Sequence, residues 1–437
     1  MTSRVGIRRE DKSKWERRVP IVPQHVRRLQ MEHDLEVFVQ PSEIRVFPDE
    51  AYREAGAQVQ EDLSSCSAVF GVKEIPTDFF DPGRTYVFFA HVIKGQPYNM
   101  PMLQSLLDKG CHLIDYERVT DEQGRRLIFF GHHAGLAGMI DALWALGRRL
   151  DWEGIANPFS DLQQTYRYDD LEEAKAAVTS LGERIARQGL PESMTPFLCG
   201  FAGYGNVFSG ADEIIELLPV EEIAPHEVAD VVENSSARDV VYKVVFKEEH
   251  TVEPISDDDS FELQDYYDHP EKYRSTFDTY LPHLSLLVNC VYWEEKYPRL
   301  VTKQDLQDLY RGPEQPRLRV IADISCDIEG AIEATVQCTE PGSPVYVYDP
   351  VEDQAIVGVE GEGPAILAVE ILPSELPREA SSYFSGVLMD YVPAIAKADY
   401  SVPFEELALP PEIKRAVIVY QGKLTPDYNY LKDDLPS

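Results

Sequence analysis

Two apolar runs end in ionisable side chains. Gly71-Val-Lys73-Glu74 closes the run Ala68–Val72, and His91 and Lys94 follow the run Tyr86–Ala90. A third run, His112–Asp115, leads into Tyr116 and Glu117. In open α/β sheets the carboxyl ends of the strands face the ligand crevice, so chemistry collects there. One lysine or histidine at such a place is usually structural. Two successive strands that both end in ionisable pairs point to a site. Arg17-Arg18 lies before a helix, where the bland reading is a solvated basic patch, and Arg125-Arg126 follows a turn at Gly124. Gathered together, Arg18, Lys73, His91, Lys94 and Arg126 would make a local positive cluster. A substrate with several carboxylates would account for it, since a guanidinium pairs with a carboxylate through two parallel hydrogen bonds.

A second pattern is a glycine turn. Gly203-Tyr-Gly205-Asn-Val-Phe208-Ser-Gly210 follows the apolar run Phe197–Ala202 and opens a helix through Leu218. Strand, glycine turn and helix is the arrangement of a dinucleotide site. The first glycine permits the tight turn, and the second lets backbone approach a pyrophosphate at the helix N-terminus. The usual third glycine position holds Phe208, with Gly210 two residues later, so the motif alone fits a plain structural turn equally well. An acidic residue about 20 positions on would accept from a ribose 2′-hydroxyl. That place falls near His226 and Glu227: Glu227 suits NAD, and His226 suits the 2′-phosphate of NADP.

The elements that must position these residues alternate. Arg4–Arg9, Leu35–Val39, Ala68–Val72, Tyr86–Ala90 and His112–Asp115 read as strands, with helices over Pro20–Met31, Asp49–Ala55 and Pro101–Lys109. This βαβα order predicts a parallel sheet wrapped by helices. His132–Leu150 reads as one long helix whose Ala134-Gly-Leu-Ala-Gly-Met139 start permits close packing, and 169–187 as a charged, solvated helix. After the glycine turn, 234–280 is polar and poor in pattern. Leu284–Tyr292 and Leu318–Ser325 are buried-strand candidates, and Glu379–Ile395 a helix.

Composition bounds the rest. A chain of 437 residues is long for one core, so two domains are expected. With 41 basic against 76 acidic residues the net charge is −35, which repels phosphate backbones and argues against nucleic acid. No apolar run approaches the roughly 20 residues of a membrane helix. The first ten residues lack the apolar core of a signal peptide, so a cytoplasmic location is expected. The six cysteines form no C-x-x-C pair, which argues against disulfides and against a thiolate metal site.

At these residues the chain resembles a known family. Its Val5-Gly-Ile-Arg-Arg-Glu10 with Glu16-Arg-Arg18, Gly71-Val-Lys-Glu74, Phe89-Ala-His91, Leu113-Ile-Asp-Tyr-Glu117, Gly131-His-His-Ala-Gly-Leu-Ala-Gly138, Gly203-Tyr-Gly-Asn-Val207, Val288-Asn-Cys-Val-Tyr-Trp293 and Ala322-Asp-Ile-Ser325 carry the likeness. It resembles the saccharopine-forming lysine–2-oxoglutarate reductase domain of bifunctional α-aminoadipic semialdehyde synthase. More distantly it is similar to fungal lysine-forming saccharopine dehydrogenase and to alanine dehydrogenase.

The resemblance implies an α/β fold of two Rossmann-like domains with parallel sheets and an interdomain cleft. Residues 1–137 plus 331–437 would form the substrate domain, and 138–330 the dinucleotide-binding domain. It implies that Lys73 and His91 are the acid–base pair, and that Arg18 and Arg126 hold substrate carboxylates. Glu74, Lys94 and Glu117 would line the substrate, with the two carboxylates near its lysine part. Gly203, Gly205, Asn206, Val207, His226, Glu227, Asn289 and Asp323 would hold the cofactor, Asp323 beside the nicotinamide. The implied reaction is reduction of the lysine–2-oxoglutarate imine to saccharopine, with NADP(H) favoured through His226 and NAD(H) the alternative. The implied molecules are lysine, 2-oxoglutarate and saccharopine. The family's fused dehydrogenase domain has no counterpart here, which leaves room for a separate saccharopine dehydrogenase as partner. The competing readings are NAD-dependent, lysine-forming cleavage of saccharopine and a catalytically silent nucleotide-binding regulator; Lys73, His91, Arg18 and Arg126 together argue against the last.

Overall fold

The computed structural model describes residues 3–256, 258–312 and 315–436. The chain forms two compact units, one running to Phe130 and resuming at Pro377, the other Gly131–Leu376. The first unit is built on β1 (Ser3–Ile7), β2 (Leu35–Val39), β3 (Gln58–Val59), β4 (Ala68–Phe70), β5 (Thr85–Phe88) and β6 (His112–Asp115). These pair in parallel in the order β6-β5-β4-β1-β2-β3. Every residue of β4, β5 and β6 is buried, because helices cover both faces of such a sheet and leave no polar side. At the β6 edge the returning strand Val417–Tyr420 pairs antiparallel, followed by Lys423–Leu424.

The returning segment also fixes the loop after β1. In the helix Pro377–Leu388, Ser381 and Ser385 turn their hydroxyls to Val19 and Val22, whose backbone N–H groups donate at 2.9 and 3.0 Å. The expected single helix over Glu379–Ile395 is two, Pro377–Leu388 and Val392–Lys397.

The second unit carries β7 (Phe197–Ala202), β8 (Val220–Ile223), β9 (Val241–Phe246), β10 (Leu286–Asn289), β11 (Val320–Asp323), β12 (Val345–Asp349), β13 (Gln354–Val357) and β14 (Ala365–Leu367). Their order is β13-β12-β14-β11-β10-β7-β9-β8, parallel except for β12, which pairs antiparallel with both of its neighbours. Residues 331–376, expected in the first domain, lie here instead, because β14 extends the parallel sheet beside β11. The expected boundary near 137 also moves: the helix Gly131–Trp152 belongs wholly to this unit.

That helix is apolar around most of its circumference and packs against the helix Asn206–Ile215. The crossing is tight enough to exclude side chains at two points. A Cβ on Gly135 would lie 1.9 Å from the Val207 carbonyl oxygen, and one on Gly210 would lie 1.9 Å from that of His132. The helix Leu171–Gln188, expected to be solvated, is amphipathic and buries Leu171, Ala174, Val178, Leu181 and Ile185. Among the described residues no helix is long and apolar enough to cross a membrane.

Candidate active site

In the first unit the strand register sets the stage. Gly71 follows β4, and Phe88 and Asp115 end β5 and β6 in paired positions, so the three strands finish together. Lys73, Glu74, His91 and Glu117 lie just beyond those ends, at the carboxyl edge of the sheet. Glu10, in the loop after β1, spans to β4: its carboxylate oxygens accept from the backbone N–H of Val72 at 2.7 Å and of Lys73 at 3.0 Å. Burial, with Glu16 nearby, pushes the Glu10 carboxyl up to about 7 despite those bonds.

Lys73 is largely shielded, and its ammonium has no hydrogen-bond or ion-pair partner among the described residues. Burial and then the Arg18 guanidinium lower its pKa, against the opposing pull of Glu16 and Glu74. Beside it, His91 Nδ1 lies 2.8 Å from Glu74 Oε1, which fixes the ring and leaves Nε2 as the reactive edge. Glu74 Oε2 also accepts from Lys12 Nζ at 2.9 Å. Burial works to raise the Glu74 carboxyl, but the His91 and Lys12 contacts hold it at about 2. His91 has a backbone φ of +49°, a conformation non-glycine residues adopt at a cost, and its carbonyl accepts from Asn99 Nδ2 at 3.0 Å.

Arg18 is buried, stacked over the Phe130 ring at 4.4 Å. Glu16 takes its Nε and Nη2 at 2.7 and 2.6 Å, so Arg18 presents only its other edge to an incoming carboxylate. Arg126, half-exposed, is paired with Glu117. Two residues expected to bind different parts of a substrate therefore bind each other. Lys94 is exposed in a turn, and none of these contacts includes it. Glu10 and Glu16 hold this site together, and sequence reasoning placed them in a motif without giving either a task.

In the second unit a single row crosses four parallel strands: Phe246 of β9, Ala202 of β7, Asn289 of β10 and Asp323 of β11. The strand order reverses at β7, the place where open α/β sheets bind ligands. Gly203 leaves the row with φ +91°, and a Cβ there would press on the Cys290 backbone at 3.1 Å. Gly205 precedes the helix Asn206–Ile215 and faces open space, where backbone can approach a pyrophosphate. Asn206 and Val207 form the first turn of that helix. These residues fit a dinucleotide. On the far side, Asn289 Nδ2 donates to Asp323 Oδ1 at 2.8 Å and Thr335 Oγ1 to Oδ2 at 2.6 Å. Burial raises the Asp323 carboxyl to about 6.

His226 and Glu227 do not join this row. They follow β8, the edge strand, and β9 stands between β8 and β7. Both are exposed, and the Glu227 carboxylate accepts from the Ala224 N–H at 2.7 Å. The chain that runs beside the glycine turn is instead Phe246-Lys247-Glu248, and sequence reasoning missed it.

Residues 6–137 match the family described as Alanine dehydrogenase/PNT, N-terminal domain, and residues 232–427 match Alanine dehydrogenase/PNT, C-terminal domain. The chain is 38% identical to the alpha-aminoadipic semialdehyde synthase of Arabidopsis thaliana over 98% of its own length, and it spans 41% of that relative. It is 29% identical to the NAD(+), L-lysine-forming saccharopine dehydrogenase of Neurospora crassa, with 81% of each chain covered. Among solved structures an L-alanine dehydrogenase shares the fold, with a TM-score of 0.59 at 18% identity over 99% of this chain and 100% of that one.

Proposed function

The chain belongs to the alanine dehydrogenase/PNT family, and from that membership we propose a nicotinamide-dinucleotide-dependent oxidoreductase that makes or breaks the secondary-amine C–N bond of saccharopine. The observation that carries this reading is the Lys73 amine, without a hydrogen-bond or ion-pair partner among the described residues and with a lowered pKa, beside the oriented His91–Glu74 pair.

In the forward direction an amine condenses with a 2-oxo acid, water leaves, and the resulting imine is reduced. Condensation requires a neutral amine and a proton for the departing hydroxyl. Lys73, whose pKa burial and Arg18 lower, is the group to take one from the incoming ammonium. His91, entering the step as the imidazolium with its Nδ1–H held by Glu74, donates its Nε2 proton to the oxygen that leaves and is left as the Nδ1–H tautomer. The free edge of Arg18 binds a carboxylate of the oxo acid, and Arg126 exchanges Glu117 for another. The dinucleotide supplies the hydride for reduction and accepts it in reverse. Gly203, Gly205 and Asn206 would hold its pyrophosphate, and the Asn289–Asp323 pair sits along the same strand row. The same proton-transfer groups serve both directions.

Incubation of purified protein with lysine, 2-oxoglutarate and reduced cofactor should yield saccharopine, identified by mass, with stoichiometric cofactor oxidation. Pyruvate, which lacks the distal carboxylate, should be at least about tenfold poorer, the usual scale for losing one charge-assisted contact. Equal turnover of the two oxo acids would leave a simpler amino-acid dehydrogenase as the better reading.

A further inference from the structure

Two cysteines with no C-x-x-C spacing meet in the second unit. Cys326 and Cys338 lie twelve positions apart in the chain, and their Sγ atoms stand 3.7 Å apart. One point of the fold holds both. The Ala368 carbonyl lies 2.9 Å from Cys326 Sγ and accepts at 2.8 Å from the N–H of Thr339, next to Cys338. Cys338 is exposed and Cys326 half-buried, whereas Cys66, Cys111, Cys199 and Cys290 are buried. The thiolate is the reactive form of cysteine, and burial raises the pKa of each of those four. At Cys338 the Cys326 thiol, donating to its sulfur, lowers the pKa instead.

The bland reading is two small side chains in ordinary contact. The segment between them gives the contact a consequence. Asp323 accepts from Thr335 Oγ1 at 2.6 Å on one carboxylate oxygen and from the Cys326 N–H at 3.3 Å on the other. Both donors lie within 326–338. We propose that Cys326 and Cys338 are an oxidisable dithiol whose disulfide closes the 326–338 loop around Asp323, with a peroxide as the oxidant. The Cys338 thiolate attacks one peroxide oxygen, the O–O bond breaks, and the departing hydroxide takes up a proton to become water. Cys326 then attacks the Cys338 sulfur and gives up its proton. The S–O bond breaks as the S–S bond forms, and a second water leaves. Two thiols are oxidised and one peroxide is reduced. The sulfurs must approach by about 1.7 Å to reach a bond of about 2.0 Å, a side-chain movement that the exposed Cys338 has room to make.

The test is mass mapping of folded protein after brief exposure to hydrogen peroxide, with the remaining thiols alkylated in denaturant. Glu329 and Glu333 lie between the two cysteines, so a glutamate-specific protease leaves the flanking peptides joined only by the disulfide. Wild type should yield that joined pair, within one chain, as its main oxidation product, and dithiothreitol should release it. Amide hydrogen exchange over 327–337 should slow by at least about threefold in the oxidised protein, because a closed loop has fewer open states. Cys326→Ser should stop at a Cys338 sulfenic acid, trapped by dimedone, and Cys338→Ser should leave Cys326 a thiol. The assignment is overturned if both cysteines stay free in folded wild type, if peroxide reaches the four buried cysteines first, or if the disulfide joins two chains. Exchange that does not slow in the joined protein removes the loop-closing role. None of these readouts requires a bound dinucleotide, so their failure leaves the dinucleotide reading untouched.

Discussion

A lysine takes a proton from its substrate only where its surroundings refuse it one of its own. At Lys73 burial and the Arg18 guanidinium push the pKa down, while Glu10 pins the backbone from which the side chain projects. Lys73→Met removes the amine at nearly constant volume. It should lower kcat by about 10²–10⁴-fold, the usual cost of losing an acid–base group, and leave dinucleotide affinity unchanged. Steady-state rates beside fluorescence titration decide this; near-normal turnover would remove Lys73 from the chemistry. At this scale the site was partly legible. Lys73 and His91 stand out because ionisable groups after buried runs are rare. Glu10 and Glu16 do not, because a loop carboxylate in a chain with 76 acidic residues carries no mark of being buried.

Elements show where sequence order misleads. Five strands of the first sheet, β1, β2, β4, β5 and β6, were readable as apolar runs, because both of their faces are covered; Gln58–Val59, Val417–Tyr420 and Lys423–Leu424 were not. β9 was not, because Val-Tyr-Lys-Val-Val-Phe has a lysine at its centre. Lys243 is buried there only because Asp212, Glu216 and Glu222 surround it at 2.9, 2.5 and 2.9 Å. Those carboxylates come from a helix and a neighbouring strand, so no local pattern announces them. With β9 unread, β8 was the strand expected beside the glycine turn, whereas in the sheet β9 lies between them. The long helix Gly131–Trp152 holds another compensated polar group. Asp141 accepts from Thr165 N–H and Oγ1 at 2.7 and 2.9 Å, and lies beside Glu375, which accepts from Tyr166 N–H at 3.2 Å. Burial raises both carboxyls, and for Glu375 the Asp141 charge adds to it. The folded chain therefore keeps a proton that the unfolded chain releases above about pH 4, so this pair's contribution to stability falls as pH rises. Glu375→Gln keeps the hydrogen bonds and cannot ionise. Its Tm should match wild type near pH 5 and exceed it increasingly towards pH 9, by a few degrees, the scale of about 1–3 kcal/mol of stability. Parallel Tm–pH curves would show that the pair does not keep that proton.

For the whole molecule the dominant number is the charge of −35. With 76 acidic and 41 basic residues, 35 negative charges stay uncompensated however the ion pairs are arranged. Self-repulsion of that size opposes the compact state, because unfolding spreads the like charges apart. Salt acts on both terms, weakening exposed ion pairs and the repulsion together. Exposed pairs contribute about 0–1 kcal/mol each and lose little, whereas the repulsion sums over many separations. Between about 0.1 M and 1 M salt the screening length shrinks from about 10 Å to about 3 Å, which removes most terms beyond nearest neighbours. The repulsion therefore loses more than the pairs do. Tm should rise with potassium chloride over that range by about 5 °C or more, on the scale of 2–4 °C per kcal/mol expected for large domains. Choline chloride, which supplies ionic strength without a small cation, should act alike if screening is the cause. A Tm that stays flat or falls in both salts would mean that the paired charges, and not the surplus, govern the electrostatics of the fold.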